Sequence, residues 1–224
     1  MSIKMKKDSS GETLSYKFLV LGDSMVGKSS IIGRYINKTF NDNYLCTIGM
    51  DKRYKKLKIN NKDVDIFITD TAGQERFRAL TKMFYKGSDG IFIGFSLTDK
   101  KSFESINYWI QQIYENCDNE SPLCLVLFGN KCDDKENIVV SSADIDKLKK
   151  QYNIPYFETS AKDGINVQSM FEYLTKLTIV KKGNLKNVGL SEKNSIDDII
   201  INEKENQKME VKKIKHKKKK SKFC

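Results

Sequence analysis

Residues 22–29 read Gly-Asp-Ser-Met-Val-Gly-Lys-Ser and directly follow the apolar run Tyr-Lys-Phe-Leu-Val-Leu. The pattern predicts a strand over Tyr16–Gly22 and a helix over Lys28–Ile36. A glycine turn between a strand and a helix directs backbone N–H groups and the positive end of the helix dipole at phosphate oxygens. The spacing matches GxxxxGK[S/T], in which the lysine reaches the outer phosphates and the hydroxyl ligates Mg²⁺. ATP-dependent kinases, other nucleoside triphosphatases and GTPases remain possible at this point.

A second glycine motif, Asp70-Thr71-Ala72-Gly73-Gln74, follows the predicted strand Val64–Asp70. If this strand lies beside the first, the ends of both strands face one crevice, where open α/β sheets bind ligands. There Asp70 supplies a carboxylate for the Mg²⁺ shell, and Gly73 brings an N–H group to a terminal phosphate. Gln74 is placed to orient an attacking water molecule.

A third motif, Asn130-Lys131-Cys132-Asp133, follows the predicted buried strand Leu123–Gly129 and selects the base. The Asp133 carboxylate can accept hydrogen bonds from the ring N–H and the exocyclic amine of guanine. Adenine has no such pair of donors and would leave a buried charge unpaired. Ser160-Ala161-Lys162 follows the last predicted strand and offers a backbone donor to the guanine oxygen. These residues argue against an ATP-dependent kinase.

Short apolar runs alternate with stretches of helical period, which is typical of a mostly parallel sheet with helices on both faces. The other predicted strands are Tyr54–Ile59, Gly90–Ser96 and Pro155–Thr159, and the other predicted helices are Arg78–Lys86, Phe103–Glu115, Ser142–Tyr152 and Val167–Val180. A turn at Asn60-Asn61-Lys62 makes one hairpin, so one edge is antiparallel. The predicted fold class is therefore α/β, with six strands.

The chain of 224 residues has room for one sizeable domain. Its longest apolar runs are too short to span a bilayer. The first residues contain no apolar leader segment, and Ser2 excludes the usual myristoylation pattern. The five scattered cysteines and single histidine predict neither a disulfide framework nor a zinc site. This cysteine usage fits a reducing compartment.

Residues 181–224 contain 14 lysines and 6 acidic residues, so this tail holds most of the net charge of +11. Its polar composition cannot bury enough apolar surface to offset the entropy of ordering. We therefore divide the chain into a flexible N-terminus (1–13), one folded domain (14–181) and a disordered basic tail (182–224).

With its nucleotide motifs, the chain resembles the small GTPases of the Ras superfamily over residues 14–180, and within that group it is most similar to Rab proteins. Four segments carry the Rab likeness: Ile48-Gly49-Met50-Asp51, Arg76-Phe77-Arg78-Ala79-Leu80-Thr81, Phe84-Tyr85-Lys86-Gly87 and Lys101-Ser102-Phe103-Glu104-Ser105-Ile106. The resemblance implies a P-loop G domain that binds GTP and GDP with Mg²⁺.

The resemblance also implies a role for each matching residue. The expected nucleotide contacts are Asp23, Ser24, Met25, Val26, Gly27, Lys28, Ser29, Ser30, Phe40, Tyr44, Thr47, Gly73, Asn130, Lys131, Asp133, Ser160, Ala161 and Lys162. Phe40 should stack on the guanine and Tyr44 should close over the phosphates. The expected Mg²⁺ ligands are Ser29, Thr47 and Asp70, and the catalytic residues are Gln74 and Lys28.

Four positions depart from the Rab pattern. Lys52 and Thr69 replace two aromatic residues of a surface that Rab effectors recognise, which predicts a divergent set of partners. Met25 replaces a residue that is often glycine or small, and it is expected to crowd the terminal phosphate and to slow hydrolysis. Ser96 replaces a common aspartate without removing a ligand.

The implied function is a monomeric nucleotide switch that hydrolyses GTP slowly and regulates vesicle trafficking. Its implied partners are an exchange factor, a GAP, effectors and a prenylation escort or GDI. The segment Val-Lys-Lys-Ile-Lys-His-Lys-Lys-Lys-Lys-Ser-Lys-Phe-Cys has eight lysines, and this charge run alone slightly favours a solvated tail. Its end at Cys224, on a body that resembles a Rab, implies instead contact with an anionic membrane and lipidation of Cys224. A Rab usually has two cysteines there. The expected location is cytoplasmic, reversibly attached to endomembranes.

Two other functions compete with the switch. A pseudo-GTPase would hold nucleotide without turnover, but Ser29, Thr47 and Gln74 are intact, which argues against it. A nucleic-acid binder would use the basic tail. The near-neutral body has no interleaved aromatic and basic residues, so no nucleic-acid partner is predicted.

Overall fold

A computed structural model describes residues 13–41, 50–59, 62–71, 85–117 and 123–183. The strands in these ranges are β1 (Leu14–Leu21), β2 (Met50–Ile59), β3 (Lys62–Thr71), β4 (Gly90–Ser96), β5 (Cys124–Asn130) and β6 (Tyr156–Glu158). The helices are α1 (Lys28–Asn37), α2 (Lys100–Glu104), α3 (Ile106–Asn116), α4 (Ser142–Tyr152) and α5 (Val167–Lys181). A short 3₁₀ turn, Lys135–Asn137, precedes α4.

The strands form one six-stranded sheet in the order β2-β3-β1-β4-β5-β6. β2 runs antiparallel to β3, and every other neighbouring pair is parallel. The prediction of an α/β fold with one antiparallel edge is therefore confirmed. Because β1, β3 and β5 point the same way, their carboxyl ends lie at one edge of the sheet, where such folds bind ligands.

The side chains of β1 alternate between two buried cores, as the period of a strand requires. Phe18 and Val20 pack in a core that includes residues of α1 and α5. Leu19 and Leu21 face the opposite core, which includes residues of α3 and α4. The helices therefore cover both faces of the sheet, as predicted.

The predicted helix Phe103–Glu115 is wrong in one respect, because α2 and α3 are separate helices that meet at Ser105. The Asp99 carboxylate caps α2 by accepting from the Lys101 N–H at 3.0 Å, which starts the helix early. The Ser105 hydroxyl donates to the Lys101 carbonyl at 3.1 Å. Serine hydroxyls that bond a carbonyl one turn back often bend helices, which explains the break.

β2 begins at Met50, four residues before its predicted start, because its ladder with β3 extends from Met50–Thr71 to Ile59–Lys62. Because lysine is depleted in strands, the lysines of this segment weaken the strand signal in its sequence. Most of the predicted helix Arg78–Lys86 and the turn at 60–61 lie outside the described residues. Within the described part of the chain, no helix is long and apolar enough to cross a membrane.

Candidate nucleotide-binding site

The turn between β1 and α1 requires glycine at its last position. Gly27 has a φ of +96°, a left-handed conformation that favours glycine. A Cβ atom at this position would lie 2.4 Å from the Asn130 Nδ2. Since the residue capping α1 is a glycine, its own side chain cannot compete for the free N–H groups of the first turn. The turn therefore offers backbone donors to an anion.

Lys28, the first residue of α1, is buried at the edge of the sheet with 5% of its surface exposed. Its ammonium donates to the carbonyls of Gly22 at 2.9 Å and Asp23 at 2.8 Å. Burial lowers the pKa of Lys28 to about 8, while the carboxylates of Asp70 and Asp23 act in the opposite direction. The turn thus folds around a cation that is held close to two carboxylates.

Asp70, near the end of β3, supplies the buried carboxylate at this edge, with 4% of its surface exposed. Burial raises its pKa, and a hydrogen bond with the Ser29 hydroxyl and the charge of Lys28 lower it in part. Its Oδ1 atom is buried and makes no hydrogen bond within the described residues. A buried carboxylate oxygen without a partner is costly, so the arrangement suits an incoming cation.

Asn130, the last residue of β5, joins two loops at the same edge. Its Nδ2 donates to the Val26 carbonyl at 2.8 Å, and its Oδ1 accepts from the Ala161 N–H at 3.2 Å. The Thr159 hydroxyl lies 3.5 Å from the same oxygen. With Asn130 only 2% exposed, this side chain fixes the glycine turn against the loop that follows β6.

The two base-selecting motifs are also held together by the backbone. The Cys132 N–H donates to the Thr159 carbonyl at 3.1 Å, which connects the loops after β5 and β6. Ser160 is fully buried, and its hydroxyl accepts from the Asp163 N–H at 2.9 Å. Asp133, half-buried, follows Cys132 on this side of the crevice.

The structure brings most of the predicted site residues together at the carboxyl edge of the sheet. The phosphate-side group is Asp23, Ser24, Met25, Val26, Gly27, Lys28, Ser29, Ser30 and Asp70, and the base-side group is Phe40, Asn130, Lys131, Asp133, Ser160, Ala161 and Lys162. Tyr44, Thr47, Gly73, Gln74 and Cys224 lie outside the described residues.

Met25 lies at the turn in a left-handed conformation, with a φ of +63° and 64% of its surface exposed. Residues other than glycine rarely adopt this conformation, so the backbone here carries strain. The expectation that Met25 slows hydrolysis stays a prediction.

Two side chains at the site were missed by sequence reasoning. Trp109 on α3, the chain's single tryptophan, donates from Nε1 to the Asp23 Oδ1 at 2.9 Å. Arg34 on α1 donates from Nε to the Ala161 carbonyl at 2.7 Å. The residues of the first contact are 86 positions apart in the sequence and those of the second are 127 apart. No local sequence pattern could therefore have predicted either contact.

The fold and the site define a nucleotide-binding protein with a phosphate-binding loop. A family model described as "Ras family" matches residues 17–180. The Ras-related protein Rab-13 of Rattus norvegicus is 37% identical over 191 residues, which cover 85% of this chain and 93% of the relative. The Ras-related protein SEC4 of Saccharomyces cerevisiae is 40% identical over 186 residues, which cover 81% of this chain and 85% of the relative.

The chain belongs to the Ras family, as a Rab-type small GTPase. It is accordingly a GTP-binding protein and a GTPase of the group that acts in vesicle trafficking.

Replacing Gly27 with alanine should abolish tight nucleotide binding, because a methyl group there clashes with Asn130 and strains the turn. Gly33 on α1 provides a matched control, since a Cβ atom there meets nothing within 4 Å. Gly33→Ala should keep GDP affinity and stabilise the fold by about 0.5–1 kcal/mol, as expected for glycine replacement within a helix. GDP titration and thermal unfolding measure both variants, and a Gly27→Ala protein with parental affinity would contradict the assignment.

Proposed function

We propose that this crevice binds GTP and GDP together with Mg²⁺ and that the chain acts as a switch controlled by the third phosphate. The main support for the proposal is a pair of Asn130 hydrogen bonds, which fix the positions of the glycine turn and of the loop at Ala161 relative to each other. In this arrangement the N–H groups at the start of α1, with Lys28, bind phosphates. Asp133 and the N–H of the Ala161–Lys162 peptide bind the guanine edge.

The residues present fit a Mg²⁺ ion. Asp70 keeps one buried oxygen without a hydrogen bond within the described residues, and its carboxylate bonds the Ser29 hydroxyl. Oxygen ligands are those that Mg²⁺ prefers, with phosphate oxygens completing its shell. We propose that Ser29, Asp70 and, in the triphosphate state, Thr47 hold the ion. Bound Mg²⁺ would neutralise negative charge on the phosphates.

Chelation provides a test of the metal residues. EDTA should accelerate GDP release from the parent protein by about tenfold or more, because Mg²⁺ shields the phosphates from the carboxylates. The Asp70→Asn variant should release GDP quickly at the outset and respond little to EDTA. Asp146→Asn, which removes an exposed ion pair with Lys149, is the control and should respond like the parent. An unchanged EDTA response in Asp70→Asn would exclude Asp70 as a ligand.

We propose that hydrolysis is slow without a partner. Gln74 would orient the attacking water and Lys28 would stabilise charge on the phosphates. Of the chain's arginines in the described residues, Arg34 bonds backbone carbonyls and Arg53 pairs with Asp51. Both are engaged elsewhere in the described residues, and Arg76 and Arg78 lie outside them. We expect a GAP to supply the charge that stabilises the transition state.

The Gln74→Leu variant should hold GTP with near-parental affinity but lose GAP-stimulated hydrolysis by about 10³-fold or more, since leucine cannot orient water. Phosphate release in single-turnover assays measures the effect. Gln111→Leu on α3 is the control and should hydrolyse GTP like the parent. Parental hydrolysis by Gln74→Leu would refute the role of Gln74. A parent protein that binds GTP but releases no phosphate would instead support a pseudo-GTPase.

We further propose that effectors recognise the β2–β3 face. Lys52 and Thr69 stand opposite each other in the β2–β3 register. The next pair on that face is Tyr54 and Phe67, whose ring centroids lie 5.3 Å apart and whose surfaces are 50% and 37% exposed. Aromatic side chains often anchor interfaces. The exposed aromatic pair thus lies two residues along each strand from the positions where a Rab has its aromatic residues. We infer that this displacement gives the chain partners that differ from those of an ordinary Rab.

The proposed membrane attachment uses the basic tail. Each lysine near an anionic leaflet contributes about 1 kcal/mol, and stable anchoring requires a lipid chain in addition to such a basic patch. The eight lysines of residues 211–224 supply the patch and Cys224 the lipidation site. We propose reversible attachment to endomembranes, with an escort protein or GDI extracting the lipidated form and with the GTPase acting as a monomer.

Mass spectrometry of the protein from eukaryotic cells should detect an isoprenoid on Cys224. The Cys224→Ser variant should move from the membrane fraction to the supernatant, because the basic patch alone gives weak binding. Cys117→Ser, at a half-buried cysteine of the folded domain, is the control and should stay in the membrane fraction. An unmodified Cys224 in the membrane-bound protein would contradict the proposed anchor.

A further inference from the structure

The Arg34 guanidinium binds three backbone carbonyls from two separate segments. Its Nε donates to the Ala161 carbonyl at 2.7 Å, and one terminal nitrogen donates to the Lys162 carbonyl. The other terminal nitrogen donates to the Lys38 carbonyl at 2.9 Å. Only arginine carries enough donors in a rigid planar fork to make these three bonds at once.

The first of these bonds fixes the direction of a backbone donor in the base-side loop. A peptide group is planar and trans, so its C=O and N–H bonds point in opposite directions. With the Ala161 carbonyl directed at Arg34, the N–H group of Lys162 is directed away from Arg34. The preceding donor, the Ala161 N–H, is oriented by Asn130 at 3.2 Å. Arg34 and Asn130 thus constrain consecutive donors of one loop.

The third bond connects this loop to the segment that contains Phe40. Lys38 ends α1 with a φ of +61°, and its N–H donates to the Arg34 carbonyl at 3.1 Å. The Arg34 side chain bonds the Lys38 carbonyl, so that residue is held from both sides. The guanidinium carbon also lies 5.9 Å from the centre of the Phe40 ring. One side chain therefore positions residues from two parts of the base-side group.

We infer that Arg34 is a positioning residue for base recognition, which orients the Lys162 N–H as the loop donor to the 6-oxo oxygen of guanine. The inference rests on the proposed function, since it requires guanine to bind beside Ala161 and Asp133. Arg34 itself touches no base in this account. Its effect passes through the orientation of the Ala161–Lys162 peptide.

Three nucleoside diphosphates separate this role from general support of the fold. GDP carries both the 6-oxo oxygen and the 2-amino group. Inosine diphosphate keeps the oxygen and lacks the amino group. The diphosphate of 2-aminopurine riboside keeps the amino group but lacks both the oxygen and the ring N1–H, because without the 6-oxo group its N1 is an unprotonated acceptor. Affinities of all three are measured with Mg²⁺ by displacement of a fluorescent GDP. The oxygen contact is reported by the change that an Arg34 variant causes with each ligand, since the missing N1–H lowers the affinity of the 2-aminopurine ligand equally in parent and variant.

The Arg34→Ala variant should weaken binding of GDP and inosine diphosphate by about 10- to 100-fold, as expected when the hydrogen bond to the guanine oxygen is lost and that oxygen is left without a partner. It should weaken binding of the 2-aminopurine diphosphate by less than about threefold, because that ligand lacks the oxygen. Arg34→Lys keeps the charge but not the planar fork, so it should show a smaller loss with the same selectivity. This conservative variant also tests the inference if Arg34→Ala does not fold.

Lys38→Ala is the matched control for charge at this position. It removes a nearby cation and its 2.8 Å bond to Gln168, but it leaves the backbone carbonyl that Arg34 binds. All three affinities should stay within about twofold of the parent, since no base-side donor is altered.

The outcomes distinguish the inference from the proposed function. If the Arg34 variants lose equal affinity for all three ligands, or lose none, Arg34 does not position the oxygen contact and the inference is wrong. If the parent protein binds the 2-aminopurine diphosphate as tightly as GDP, the proposed base site itself is wrong. Selective loss in the Arg34 variants, with discrimination intact in the parent, supports both.

Discussion

Two opposite charges, the Lys28 ammonium and the Asp70 carboxylate, are buried together at the carboxyl edge of the sheet with 5% and 4% of their surfaces exposed. Removing such groups from water costs several kcal/mol for each ion unless partners replace the lost hydration. Two carbonyls and one hydroxyl replace it in part. A ligand that brings phosphate oxygens to the lysine and a divalent cation to the aspartate would replace much of the rest. A bound nucleotide with its cation would therefore supply the interactions that these two buried charges lack within the protein.

The base-side half of the crevice depends on hydrogen bonds of a different kind. Asn130 holds the glycine turn to the loop after β6, and Arg34 holds that loop to the end of α1. Both side chains join segments that are distant in the chain, so the two halves of the crevice are fixed relative to each other. We propose that this arrangement stays fixed while the segments carrying Thr47 and Gly73 respond to the third phosphate.

Much of the fold, and the meeting of most candidate site residues at one edge of the sheet, could be predicted from the sequence, because the motif residues lie at strand ends where local patterns are strong. β4 and α4 have the bounds that their patterns predict. The boundary between α2 and α3 falls at Ser105, whose hydroxyl bonds the Lys101 carbonyl, and the early start of β2 depends on pairing with β3. The roles of Arg34 and Trp109 could not be recognised from the neighbouring sequence, because their hydrogen-bond partners lie in distant segments that meet only in the fold.

Binding of guanosine phosphates with Mg²⁺ in one crevice can be measured by calorimetric titration of the purified, nucleotide-free protein with GDP and with ADP under identical Mg²⁺ conditions. We expect GDP to bind more tightly than ADP by about 10⁴-fold or more, since adenine leaves the polar groups of the base site without partners. Comparable affinities for the two nucleotides would contradict this expectation.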